Sequence, residues 1–278
     1  MSLNEGPIEI IVLVEDTAHQ RGLCGEHGLS FLINLPDEQI LFDVGQTDLF
    51  LQNVHKLRIS LNNVKTVILS HGHYDHGGGF PYLRDKIKDF TLYAHPSAFK
   101  RKYVKRGVRT VDIGLPWGEE TIEQMGGKLE LLEKTTPLPS GAFLTGEIER
   151  RHSADEQIVG LINEEPDPLH DDQALVLPTK QGLIVIVGCS HSGLLNTLDK
   201  AREISGEERI RAVIGGFHLL SADDRHIAWT LERVRELDVG LWGPCHCTGI
   251  RAQVSWLQAF PQRVRVLTTG SRLMFERR

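Results

Sequence analysis

The chain has 278 residues, of which 40% are hydrophobic and 24% charged, and its formal net charge is −6. These are the values of a globular protein, and the negative charge argues against nucleic acid or an anionic membrane as a partner. The sequence shows no signal-peptide pattern and no apolar run of membrane-spanning length, and it has only four cysteines. We therefore expect a cytoplasmic protein without a disulfide framework.

Short runs rich in Val, Ile and Leu predict a series of strands. They cover residues 9–14, 29–35, 39–43, 66–70, 91–94, 128–132, 142–145, 173–178, 182–187, 212–215, 239–242 and 264–268. Helical periodicity is found at residues 48–57, 81–88, 97–105, 194–204, 223–237 and 249–259. Turn residues join the second strand to the third, and the eighth to the ninth, as hairpins. The pattern predicts an α/β fold in which two mixed sheets pack face to face with helices outside.

We find no linker that divides the chain, so a single domain over residues 1–278 is expected. Residues 147–172 form the one long polar stretch and include Pro166 and Pro168. Loops of this length in compact domains are usually functional or disordered. The segment is therefore interpreted either as a disordered surface loop or as a lid or dimer arm.

The densest chemical signal directly follows the fourth predicted strand. His71, His73, Asp75 and His76 lie within six positions, in a chain that has 13 histidines. Imidazole and carboxylate ligands without a thiolate suit zinc, manganese or iron, and they suit a reactive site better than a closed structural one. The glycines at 77–79 allow the backbone to turn sharply around such a site.

Four further strand ends carry a metal-capable side chain beside small residues. They are the segments 41–45, 187–193, 214–219 and 242–249, which contain Asp43, Cys189, His191, His218 and His246. Loops at one edge of a sheet can bring residues together that are distant in sequence. We therefore expect these side chains to approach the dense cluster at 71–76.

This set of motifs resembles the metallo-β-lactamase superfamily, whose signature is matched by His71-x-His73-x-Asp75-His76 and whose later histidines are matched by His191 and His246. The segments 26–30, 188–191, 215–219 and 246–249 resemble one branch of it more narrowly. That branch contains the archaeal dihydropterin–ribofuranosylaminobenzene phosphate synthase and many bacterial relatives.

The resemblance implies a four-layer αββα sandwich with a metal site between the sheet edges. It implies one or two divalent ions, with zinc expected first and manganese or iron as alternatives. One ion would be held by His71, His73 and His191, and the second by Asp75, His76 and His246. Cys189 stands where much of the superfamily has a bridging aspartate, so the occupancy of the second position stays open. Asp43 is expected to orient a ligand rather than to bind metal.

His27 and His218 lie in motifs shared with the pterin-synthase branch, although the ligand set is complete without them. We expect both to face the substrate as general acid–base or charge-stabilising groups. The alternative for each is a structural histidine that is satisfied by local hydrogen bonds.

These features predict a metal-dependent hydrolase that uses a metal-activated water on a small-molecule ester or phosphoester. Asp75 would act as a ligand and also as a proton acceptor. One alternative is a pterin-condensing transferase, and another is a metal- or ligand-binding protein without catalysis. A small-molecule substrate is expected, with no nucleic-acid or membrane partner, and a homo-oligomer remains an option.

Overall fold

The computed structural model describes residues 6–152 and 160–276. Its strands are, in chain order, β1 (Ile8–Val14), β2 (Ser30–Asn34), β3 (Gln39–Phe42), β4 (Val64–Ile68), β5 (Thr91–Ala94), β6 (Tyr103–Arg106), β7 (Arg109–Asp112), β8 (Lys128–Leu131), β9 (Thr136–Pro137), β10 (Phe143–Leu144), β11 (Leu161–Ile162), β12 (Glu165–Pro166), β13 (Ala174–Thr179), β14 (Gly182–Val187), β15 (Ile210–Gly215), β16 (Val239–Pro244) and β17 (Arg272–Phe275). The helices are α1 (Leu49–Lys56), α2 (Tyr74–Gly77), α3 (Glu120–Gln124), α4 (Leu194–Ser205), α5 (Asp224–Val234) and α6 (Ile250–Ala259). Within these ranges no helix is both long enough and apolar enough to cross a membrane.

Two large mixed sheets and one small sheet organise these strands. The first sheet has seven strands in the order β17-β1-β2-β3-β4-β5-β8, and the second has six in the order β16-β15-β14-β13-β10-β9. In the first sheet β3, β4, β5 and β8 run parallel, and in the second sheet β14, β15 and β16 do. The third sheet, β12-β11-β6-β7, is antiparallel.

Alternation along the strands separates the molecule into four layers. Ile10 of β1 and Ile184 of β14 belong to one buried apolar cluster between the two large sheets. Ile11, the next residue of β1, packs outward with Phe50 of α1, while Val185 packs outward with helices α4, α5 and α6. Both faces of each sheet are therefore apolar, as expected where successive side chains point to opposite faces. The predicted αββα sandwich is confirmed, and so are the two predicted hairpins, β2–β3 and β13–β14.

Two predicted helices are wrong. Residues 97–105 form a 3-10 turn at Pro96–Phe99 and then enter β6. Their charged residues favour helix locally, but Lys102 is fully buried against distant partners, and tertiary pairing overrides propensity. The helix predicted at 81–88 is only a 3-10 turn, Phe80–Leu83, and Asp85 adopts a positive φ of 62° that a helix cannot continue through.

The strand predicted at 264–268 is also wrong, because its pairing is reduced to one isolated bridge between Trp242 and Val264. The segment buries Leu267 and runs beside β16, where Arg265 N donates a hydrogen bond to the carbonyl of Trp242 and Leu267 N donates one to the carbonyl of Pro244. The last strand is instead β17, which pairs antiparallel with β1. Its short run, Arg272–Phe275, alternates exposed and buried residues.

The long polar stretch at 147–172 contains more structure than its composition indicates. Its described part carries β11 and β12, and β11 pairs with β6. It also buries three carboxylates, Asp167, Asp171 and Asp172. Residues 153–159 lie outside the described residues, and a role as lid or dimer arm stays a prediction.

Candidate metal centre

Metal-capable side chains converge where the parallel strands of both large sheets end. The structure places in this region His71, His73, Asp75, His76, Cys189, His191, His218 and His246. Four residues that follow strands here have positive φ angles, namely Asp43 (55°), Ser190 (58°), His218 (50°) and His246 (48°). Such backbone conformations are costly for residues other than glycine and concentrate at functional sites.

Close backbone approach at two glycines makes this convergence possible. A Cβ at Gly72 would lie 2.0 Å from the carbonyl oxygen of Ala98, and a Cβ at Gly188 would lie 2.1 Å from Ser70 Oγ. Gly188 follows β14 of the second sheet, whereas Ser70 follows β4 of the first. The absence of a side chain at Gly188 therefore lets the two sheet edges meet.

The first cluster consists of His71, His73 and His191. His71 Nε2 lies 3.0 Å from His73 Nδ1 and 3.2 Å from His191 Nε2. Burial lowers the pKa of His71 and His191 well below the ordinary value, and it lowers the pKa of His73 to about 4. Three neutral imidazoles thus turn ring nitrogens toward one point, as a metal ligand set requires.

The second cluster consists of Asp75, His76, Cys189 and His246. His76 Nε2 lies 3.2 Å from His246 Nε2 and 3.1 Å from Cys189 Sγ. Asp75 Oδ2 lies 3.5 Å from His246 Nε2 and 3.8 Å from His76 Nε2. Burial raises the pKa of the Cys189 thiol, so without a metal this sulfur is neutral. Because Cys189 Sγ lies 3.1 Å from His76 Nε2, it is nevertheless within reach of a metal held by the histidines.

Asp43 fixes the orientation of one histidine in each cluster. Its Oδ2 accepts hydrogen bonds from His76 Nδ1 and from Ser70 Oγ, both at 2.7 Å, and its Oδ1 accepts from Ser70 N. Because the Ser70 hydroxyl hydrogen is used on Asp43, Ser70 Oγ accepts from His71 Nδ1 at 2.9 Å. The hydrogen-bond network therefore assigns the hydrogens to Nδ1 of both rings and leaves Nε2 for a ligand.

Asp16 fixes the orientation of the His246 ring, because Asp16 Oδ1 accepts a hydrogen bond from His246 Nδ1 at 2.6 Å. His246 Nε2 lies 3.2 Å from His76 Nε2 and 3.5 Å from Asp75 Oδ2. Burial lowers the pKa of His246, but the hydrogen bonds to Asp16 and Asp75 outweigh it and raise that pKa well above the ordinary value, so without a metal Nε2 also carries a hydrogen. A divalent cation bound here would take the place of the Nε2 hydrogen of His246. The donor set therefore fits a divalent metal ion.

His27 and His218 lie in the wall of a cavity of about 270 Å³ above the two clusters. The His27 side chain is 49% exposed and bridges two carboxylates, with Nδ1 3.2 Å from Asp16 and Nε2 3.3 Å from Asp75. The His218 ring centroid lies 4.2 Å from that of His191. One of its ring nitrogens also lies within 4.8 Å of a ring nitrogen of His191 and of the Cys189 sulfur, so the geometry allows it a place beside the first cluster.

Sequence reasoning missed several supporting residues. Asp16 lies two positions after the long apolar strand β1, much as Asp43 follows β3, and that shared pattern could have revealed it. Asp171 accepts a hydrogen bond from Gly72 N at 2.7 Å, between the two ligands His71 and His73. Lys102 Nζ lies 3.0 Å from Asp171, and no local signal in the sequence identifies this lysine as buried.

Comparison with known proteins identifies the family. A family model described as the metallo-beta-lactamase superfamily matches residues 25–210. The chain belongs to the metallo-β-lactamase superfamily. Members of this superfamily use divalent metal ions, and the two clusters are groups of side chains of the kind that bind such ions. The resemblance inferred from the sequence motifs is confirmed.

Individual members of the superfamily match over nearly the whole chain. The 7,8-dihydropterin-6-methyl-4-(beta-D-ribofuranosyl)-aminobenzene-5'-phosphate synthase of Methanocaldococcus jannaschii is 33% identical over 96% of this chain and 97% of its own length. A second protein of that organism, MJ0448, is 30% identical over 87% of this chain and 91% of its own length. A crystal structure of Tm1679, described as a metal-dependent hydrolase of the beta-lactamase superfamily, superimposes with a TM-score of 0.80 at 35% identity, covering 96% of this chain and 98% of Tm1679.

Proposed function

We propose that this member of the superfamily is a hydrolase that acts on a small-molecule ester or phosphoester. The observation that carries the proposal is the position of the two clusters, which form the floor of a cavity rather than an enclosed site. Structural zinc sites are closed by four protein ligands, whereas catalytic sites leave access for water and substrate. The cavity volume of about 270 Å³ suits a small molecule.

A divalent ion bound at the clusters would lower the pKa of a water molecule and polarise the substrate oxygen. The residues of the chain supply the proton handling. Burial raises the pKa of Asp75, but the neighbouring His76 and His246 outweigh it and hold that pKa well below the usual range. Asp75 is therefore ionised and accepts hydrogen bonds, and His27 connects it to Asp16 at the cavity rim. His218, in the cavity wall, is placed to donate to a leaving group.

A pterin-condensing transferase is the second candidate. It is favoured by the 33% identity to a named dihydropterin-dependent synthase along almost the full length of both chains. The cavity wall also contains the ring of Tyr74 and the apolar side chains of Val104, Ile113 and Leu220, which suit a flat organic ring. In this reaction the same clusters would bind the departing anionic group instead of activating water.

The test compares turnover and binding in protein loaded with zinc, manganese or iron. Hydrolysis of bis(4-nitrophenyl) phosphate or 4-nitrophenyl acetate, lost in the His73→Ala variant, supports the hydrolase. Quenching of dihydropterin fluorescence, without cleavage of either ester, favours the transferase. Stoichiometric metal with neither activity would contradict both and favour a binding protein. A cytoplasmic location and a homo-oligomer stay predictions.

A further inference from the structure

The β6–β7 hairpin forms one side of the cavity rim. Val104 and Arg106, two positions apart on β6, both line the cavity, and so does Ile113, which follows β7. The carbonyl of Ile113 accepts a hydrogen bond from Tyr74 N at 3.0 Å, within the loop that carries the metal ligands. The hairpin is thus held at a fixed place above the clusters.

This rim is basic in a chain whose net charge is −6. Residues 100–109 contain six lysines and arginines and no acidic residue. Lys102 is neutralised by Asp167 and Asp171. Arg106 and Arg109 are exposed, and neither forms an ion pair with another residue in the described ranges.

The strand register places these two arginines together. Arg106 pairs directly with Arg109 across the hairpin. Residues directly opposite in an antiparallel pair project from the same face, and like charges there are destabilising. The two-residue turn fixes this register, because Gly107 has a φ of 61°, as the first central residue of a type II′ turn requires. The fold therefore holds Arg109 beside Arg106, which lines the cavity.

We propose that Arg106 and Arg109 bind a phosphate-type anionic group of the substrate, at the end remote from the metal clusters. Two guanidinium groups match the charge and the several oxygens of a phosphate. The apolar side chains of Val104 and Ile113, between the rim and the floor, contact the body of the molecule. The inference rests on the proposed function only in calling this molecule the substrate.

Isothermal titration calorimetry on the metal-loaded protein tests this, with 4-phenylbutylphosphonate and neutral 4-phenylbutanol as probes. Arg106→Gln should weaken phosphonate binding by about tenfold, the loss typical of one hydrogen-bonded charge contact, and should leave the alcohol unaffected. Arg109→Gln should act in the same direction. Lys105→Gln is the matched control, because it removes the same charge from the neighbouring position but faces the opposite side of β6.

The proposal also predicts that Arg106→Gln does not lower the stability of the protein, although it weakens phosphonate binding. Arg106→Gln removes a like-charge repulsion, so its melting temperature should equal or slightly exceed that of the parent.

Equal phosphonate affinities in Arg106→Gln and Lys105→Gln would overturn the proposal, because they indicate binding at the metal or a general charge effect. A short single-stranded RNA that binds tighter than the phosphonate, and loses affinity equally in all three variants, would also overturn it. Calorimetry requires no turnover, so absence of ester hydrolysis counts against the proposed function and not against this site.

Discussion

The carboxylate of Asp43 decides which nitrogen of His76 carries the hydrogen, and through Ser70 it does the same for His71. In Asp43→Asn an amide NH₂ would face these donors, and His76 would be driven to carry its hydrogen on Nε2, where it faces His246. We expect metal affinity to fall by about 10–100-fold. Competition with a chromophoric chelator measures this.

Asp199→Asn is the control for that variant, because Asp199 is a partly exposed aspartate that contacts His152 away from the clusters. It should keep the parent affinity. Unchanged affinity in Asp43→Asn, or a crystal structure with an Asp43 oxygen bonded to metal, would refute the orienting role.

Removing one ligand should disable the first cluster. His73→Ala leaves His71 and His191 with two nitrogens in place of three, too few for a stable divalent site. We expect elemental analysis to show less bound metal and assays to show no turnover. His55→Ala, an exposed histidine on α1, should match the parent in both measurements. Full metal content with full activity in His73→Ala would exclude this ligand assignment.

At the scale of elements, the buried Lys102, which directly precedes β6 of the third sheet, connects that sheet to the loop at residues 71–76. Its Nζ lies 2.6 Å from Asp167 and 3.0 Å from Asp171, and Asp171 in turn accepts from Gly72 N. Lys102→Met would leave two buried carboxylates without their cation. We expect a loss of about 3–5 kcal/mol in the free energy of unfolding, measured with denaturant. Lys128→Met, which breaks only an exposed pair with Glu130, should change stability little.

The segment around Lys102 also shows why part of the fold could not be predicted from the sequence. Strands such as β14 were predictable because both of their faces are apolar, and the ligand loops were predictable because each histidine directly follows a strand. The segment at 97–105 was not, because its conformation depends on Asp167 and Asp171, 65 and 69 positions away from Lys102. Local periodicity contains no information about such a partner. For Asp16, its position after β1 offered a local signal, but nothing in the sequence indicated its partner His246, which is 230 positions away.

At the scale of the whole molecule, the candidate metal centre lies where the two large sheets meet. The candidate ligands at 71–76 follow β4 of the first sheet, whereas the candidate ligands His191 and His246 follow β14 and β16 of the second. An ion that binds only the folded chain stabilises it by about 2.7 kcal/mol when present at 100 times its dissociation constant. Treatment with a chelator should therefore lower the melting temperature, and metal should restore it.

His73→Ala again supplies the comparison. Because this variant lacks a ligand, chelator and metal should shift its melting temperature much less than that of the parent. Equal shifts in the two proteins would mean that the stabilising ion binds elsewhere.

The distance along the chain between ligands has a consequence for folding kinetics. His76 and His246 are 170 positions apart, and His71 and His191 are 120 apart. Neither cluster is complete until both sheets are folded and docked, so we expect that an ion does not nucleate folding. Metal should leave the refolding rate in stopped-flow experiments unchanged and should slow unfolding, because its contacts are absent from the transition state. A refolding rate that rises with metal concentration would show instead that part of the centre assembles early. If the refolding rate is unchanged, the ion binds after folding is complete. It then determines how long the native state persists, because it acts on the unfolding rate alone.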